Sequence, residues 1–234
     1  MNLMPKIKKL PKKYQPKGFE ILHEDRDIII GNKAVGFLTV GAMYDRLHTV
    51  HNALNQYVRK GSLKSRKCVY VVHRLDRETS GVLVFAKTET AQFFLKDHWK
   101  STVKTYNAVV HGRFAQKTGT ISSYLIEDDE YVMHSTADGT KGKLSHTAYS
   151  VIKETDKFSL LHIDLLTGRK NQIRVHMADA GHPIVGDTKY GKSTAGAARL
   201  ALHARSIIFT HTFSGQRLTF EAPLPQYFND LVHC

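Results

Sequence analysis

The stretch "VVHRLDRETSGVLVFAK", residues 71–87, sets one carboxylate, Asp76, between Arg74 and Arg77 inside an otherwise apolar run. Two chemistries fit it. Nearby guanidinium charge favours the ionised carboxylate even where apolar surroundings oppose it, so Asp76 could act at neutral pH as a nucleophile or a base. The same residues could form an Asp–Arg ion pair that only ties a turn, an arrangement far commoner than an active site. Two more stretches mix polar groups with apolar walls. One is "KTYNAVVHG", where Tyr106 reads first as half-buried strand packing. The other is "LLTGRKNQIRVHMADAGHPIVGDTKYG", with Arg169, Ile173 and Arg174, of which Ile173 alone reads as core.

Turns carry such chemistry only if strands hold them. "CVYVV" and "GVLVFA" flank the Asp76 turn and read as strands, after "FEIL", "DIIIGN" and "GFLTV" in close, antiparallel-favouring succession. Val50, Leu54, Tyr57 and Val58 share one face of a helix over 49–60 that ends before Gly61. Thr88 caps a second helix, "ETAQFFLKDHWK", with Ala91, Phe94, Leu95 and His98 on one face. Strands follow in "TYNAVVHG", "GTISSYL", "HTAYSVIKE" and "FSLLHIDLL", then a short helix over "NQIRVHMADA" closed by Gly181, then strands in "RLALHARSIIF" and "QRLTFEAP". Many strands and few helices without regular alternation predict an α+β fold: a mixed, mostly antiparallel sheet with flanking helices and loops.

Composition narrows the partners. A formal net charge of +13 and a pI near 9.7 make a positive field that draws polyanions, nucleic acid first and anionic membrane second. No apolar run approaches the roughly 20 residues of a spanning helix, and the N-terminus lacks the apolar core of a secretory signal, which predicts a cytoplasmic protein without membrane attachment. Cys68 and Cys234, far apart and without CxxC spacing, supply neither a disulfide framework nor a cysteine-ligated zinc site. Lys6, Lys8, Lys9, Lys12, Lys13 and Lys17 fall among Pro5, Pro11 and Pro16, so residues 1–18 read as an extended basic arm and 19–234 as one domain.

"HRLDRETSGVLVFAKT" resembles the catalytic motif of the RluA-type pseudouridine synthases, and "TGRKNQIRVHMADAGHPIVGDTKYG" is similar to their later motif. The resemblance runs from about "FEILHEDRD" to "APLPQYF", nearly the whole chain. It implies that 19–234 is a catalytic domain that isomerises uridine in RNA, detaching uracil from C1′ and rejoining it through C5, with no metal, no redox cofactor and no ATP. The RNA it implies is a structured stem-loop of ribosomal or transfer RNA, and no obligate protein partner is evident. Asp76 matches the family's nucleophile, and Tyr106 the tyrosine that stacks on the target base and can pass a proton. Arg174 matches the arginine that orients the aspartate, and Ile173 an apolar position beside the base. Arg74 matches the arginine that enters the stem in place of an extruded nucleotide. Arg77 and Arg169 are assigned to phosphates or structural pairs.

Two positions depart from the family pattern: Asn171 where many members have His, and Ala34 where many have Pro. The first bears on a hydrogen bond near the site, the second on a loop that loses proline's fixed φ. The chain starts too close to the catalytic domain to carry the small N-terminal RNA-binding module of some relatives. Two other functions compete. Fourteen histidines suggest a metalloenzyme, but there is no HExxH pair, and His162 and Asp164 share a face by strand geometry alone. A basic RNA-binding or ribosome-assembly protein that kept the fold without the chemistry is the non-enzymatic alternative.

Overall fold

The two longest apolar runs near the Asp76 motif form strands that are buried on both faces. In the computed structural model, which describes residues 11, 14–41, 45, 47–62, 64–191 and 197–233, the chain divides into two compact units. The first holds the described residues up to Thr102 together with Ser206–Ala222; the second holds Val103–Arg205 and the residues from Pro223 on. Most of the predicted basic arm, Lys6, Lys8, Lys9, Lys12 and Lys13 included, lies outside the described residues.

In the first unit, β1 (Phe19–Glu24) pairs with β2 (Ile28–Lys33), and β2 with β4 (Ser80–Ala86), all antiparallel. Every residue of β4 is buried, which is why its sequence runs apolar rather than alternating. On one face Ile28, Ile30, Val82 and Val84 meet Ala91 and Leu95 of α2 (Glu89–Asp97). Ile207, Phe209 and Phe220 complete that cluster from the antiparallel pair β10 (Leu202–Thr210) and β11 (Arg217–Glu221). On the other face the Phe85 ring meets Phe19 edge-on at 6.0 Å and stacks against His51 of α1 (Val50–Arg59). The predicted face of α1 is buried at Val50, Leu54 and Val58, and Thr88 caps α2 as predicted by accepting from Ala91 N, while Thr49 caps α1 by accepting from Asn52 N.

The second unit is an antiparallel sheet whose strand order does not follow the chain. β5 (Val103–His111) pairs with β9 (Phe158–Leu165), β9 with β8 (Lys143–Glu154), β8 with β6 (Thr118–Glu127), and β6 with β7 (Met133–Thr136). α3 (Gln172–Asp179) packs on β6, β7 and β8 and buries six of its eight residues. Gly181 ends it as predicted: its N–H bonds to Ala178 O and that of His182 to Met177 O, a closure that needs the positive φ of 80° at Gly181.

Some elements differ from the prediction. "GFLTV" is not a strand; Leu38 makes only an isolated parallel bridge to Thr49. "CVYVV" contributes a two-residue strand, β3 (Tyr70–Val71). His98 caps α2 and is exposed, stacking on Phe94 instead of joining the buried face. β7 and the C-terminal α4 (Gln226–Leu231) escape the pattern because each is too short to show a period.

Candidate active site

Asp76 lies in the turn between β3 and β4, half-buried, with Arg74 and Arg77 exposed on either side. The turn is bonded at several backbone points. Thr39, itself buried, grips Leu75 twice: its hydroxyl accepts from Leu75 N at 3.1 Å and donates to Leu75 O at 2.8 Å. The Thr79 N–H closes the turn on Asp76 O at 3.1 Å, and Val84 N donates to His73 Nε2 at 3.1 Å. The carbonyl of Arg77 accepts from Gly36 N at 2.9 Å and from Lys33 Nζ at 3.1 Å. Gly36 reaches it with φ of 86°, a backbone that glycine adopts at little cost. The Arg77 side chain also serves structure, its Nε donating to Gly36 O at 3.2 Å with Glu78 3.7 Å away.

Lys33 was not singled out by sequence, although a lysine that closes an apolar strand, "IIIGNK", is the signal that could have found it. It is fully buried, and its ammonium donates to three carbonyls: Ala34 at 3.0 Å, Phe37 at 2.8 Å and Arg77 at 3.1 Å. Burial pushes its pKa down to about 7, while the negative charges of Glu78 and Asp76 oppose the fall. A folded-state value below the ordinary 10.5 means that the unfolded chain binds the extra proton between the two values. Stability therefore rises with pH across that window. Chemical denaturation should show the folded state gaining about 2 kcal/mol between pH 7 and pH 9 from this group. Lys33→Met should flatten the profile, and an unchanged slope in that variant would show that Lys33 does not titrate there.

In the second unit, Tyr106 is buried on β5 opposite Ile163, while Arg169, Ile173 and Arg174 gather at the start of α3. Asn171 precedes the helix with φ of 50°, a left-handed backbone that Asn and His both favour among non-glycine residues, so the departure preserves the helix start. Its Oδ1 accepts from Tyr190 OH at 3.2 Å. The Gln172 side chain ties the segment before the helix to β8: its Oε1 accepts from Arg169 N and the Thr167 hydroxyl, and its Nε2 donates to His146 O and Thr147 Oγ1. One turn on, His176 is wholly buried between the hydroxyls of Thr147 and Ser123, and burial holds its pKa below the usual value.

Arg174 makes a two-pronged bond to Asp187, Nε to Oδ2 and Nη2 to Oδ1, each 2.7 Å, and its guanidinium lies 5.2 Å from the Tyr190 ring. Asp187 is 1 % exposed. Burial works to raise its carboxyl, but the bonds and charge of Arg174 and the N–H groups of Tyr190 and Lys189 outweigh this and hold it low. In the sequence the only mark of this acid is a carboxylate directly after apolar "PIVG". The Ala34 departure also has a local consequence: Ala34 N donates to Gly18 O at 2.9 Å, a bond that proline could not make. Among the described residues no cluster of His, Cys, Asp and Glu could hold a metal ion, and no helix is long and apolar enough to cross a membrane. His162 and Asp164 lie 3.4 Å apart as a pair on β9.

A family model described as RNA pseudouridylate synthase matches residues 27–179, which span Asp76, Tyr106 and Arg174. The chain is 32% identical over 220 residues to Uncharacterized RNA pseudouridine synthase YjbO of Bacillus subtilis (strain 168), covering 93% of this chain and 77% of that one. It is 39% identical over 219 residues to Ribosomal large subunit pseudouridine synthase D of Nitrosomonas europaea, covering 88% and 62%. The solved structure titled Human RNA Pseudouridylate Synthase Domain Containing 4 has the same fold, with a TM-score of 0.74 over 89% of this chain and 90% of that one at 24% identity.

Proposed function

The chain belongs to the RNA pseudouridylate synthase family and is an RNA pseudouridine synthase, an isomerase; from this we propose that Asp76 is its nucleophile and that the substrate is a uridine in a structured stem-loop of ribosomal or transfer RNA. What carries the proposal is the position of Asp76. It occupies the matched motif in a turn whose backbone is gripped by Thr39 and Lys33. A reactive group held this way loses little freedom when substrate arrives.

The Asp76 carboxylate forms a transient bond to the nucleoside, the C1′–N1 bond breaks, C5 of the turned base bonds to C1′, the bond to Asp76 breaks again, and C5 gives up its proton while N1 gains one. Tyr106 stacks on the base and passes a proton through its hydroxyl. Arg174 orients the Asp76 carboxylate. Asp187 holds Nε and Nη2 of the guanidinium and so sets the plane of the fork in advance. Ile173 walls the base. Arg74, exposed beside Asp76, enters the stem in place of the extruded nucleotide. Arg169, exposed at the start of α3, takes a phosphate, and Arg77 keeps the structural role its contacts describe. The ribosomal substrate is supported by the name of the Nitrosomonas relative. The enzyme works in the cytoplasm, without metal, nucleotide or redox cofactor.

Pseudouridine mapping by chemical labelling and primer extension tests this on ribosomal and transfer RNA transcripts incubated with the protein and a chelator alone. A new stop at one or a few loop uridines is the expected result. Turnover that needs a metal, or product confined to unstructured RNA, would overturn the corresponding part of the proposal.

A further inference from the structure

We propose that the loop joining α1 to β3 grips the phosphate backbone of the substrate RNA, through Arg59, Lys60, Lys64, Arg66 and Lys67. This rests on the reading of the chain as an enzyme acting on RNA and assigns part of that RNA's grip to a segment outside the catalytic motifs. The five cations fall within nine residues that contain no acid, and all five are exposed.

The density of like charge marks this loop. Several cations elsewhere meet carboxylates, as in Lys87 with Glu24, Lys117 with Glu154, Lys170 with Glu127 and Arg26 with Asp27. Among the described residues none of the five loop cations lies within ion-pair distance of an acid. Like charges so close repel one another, and a polyanion relieves the repulsion while releasing its counterions.

Hydrogen bonds join the described residues of the loop. Arg59 Nε donates to Lys67 O at 3.1 Å across its mouth, Ser62 N bonds to Arg59 O at 3.0 Å, and Ser65 N to Ser62 O at 3.2 Å. Lys60 takes φ of 50° to start the reversal. At its far end Val69 is stapled to α1 on both sides, its N–H to Asn55 Oδ1 and its carbonyl to His51 Nε2, each 2.9 Å. From Lys67 the chain runs through β3 to Asp76, nine residues that span at most about 30 Å. An RNA stem that offers a uridine to Asp76 therefore has its backbone within reach of the loop.

The test compares salt dependence, since phosphate contacts act regardless of sequence. Wild type, a loop variant (K60Q, K64Q, R66Q and K67Q) and a charge-matched control (K96Q, K100Q, K153Q and K157Q) are titrated with a fluorescein-labelled RNA hairpin of unrelated sequence. The loop variant should lose about 2 or more from the slope of log K against log salt and bind about tenfold or more weakly at moderate salt. The control should keep most of the wild-type slope. On the mapped substrate the loop variant should raise KM with kcat unchanged, because the contacts act equally before and during the reaction. A loop variant with the wild-type slope, or one that loses only its binding to phosphatidylserine vesicles, overturns the proposal while wild-type turnover leaves the enzymatic reading standing. Wild-type protein that forms no pseudouridine overturns that reading, and this inference with it.

Discussion

Asp76→Asn should remove pseudouridine formation by on the order of 10⁴-fold or more, while RNA affinity should stay within about threefold of wild type. The substitution keeps the shape of the side chain and deletes only its charge and nucleophilicity. The turn itself survives, because its clamps use the backbone of Leu75 and Arg77 and the Asp76 carbonyl. A secondary effect follows from Lys33. With one of its two opposing negative charges gone, its pKa falls further, and the rise of stability with pH begins at lower pH than in wild type. Primer-extension mapping beside a binding isotherm decides the matter. Product from the Asn variant at a rate near wild type would remove Asp76 from the role of nucleophile.

Arg174→Met should destabilise the second unit by about 3–5 kcal/mol, because it leaves the Asp187 carboxylate buried without its partner. Pairing the change with Asp187→Asn should restore most of that loss, since the amide removes the unpaired buried charge while its Oδ1 still accepts from the N–H groups of Lys189 and Tyr190. The two variants separate structure from chemistry. If Arg174 orients the nucleophile, the double variant is stable and still inactive; recovery of activity together with stability would reduce Arg174 to a structural residue. The sign of the pH dependence is fixed by Asp187. Its folded-state pKa lies below the ordinary 3.8, so its contribution is complete above that value and is lost as pH falls through the lower one. The stability gap between wild type and Arg174→Met should therefore narrow in acid.

Much of the scaffold was readable because its signals are local. The apolar run of β4, the 3.6-residue spacing on α1, the Thr88 cap and Gly181 each depend on neighbours a few residues away, and each appears where the pattern puts it. "GFLTV" misled for the same reason: its composition suits a strand, but Thr39 within it is bound to Leu75, thirty-six residues away, and the segment bends to serve that contact.

The residues of the matched motifs, Asp76, Tyr106 and Arg174 above all, came from the sequence by itself, since order and spacing along the chain carry a family's signature. What holds them did not. Lys33 and Asp187 look like ordinary surface charges in a string of letters, and only the folded chain removes them from water and gives each a set of partners. Burial is a property of three-dimensional neighbours. The energy of a buried charge depends on donors and acceptors contributed by segments as distant as Lys33 and Arg77.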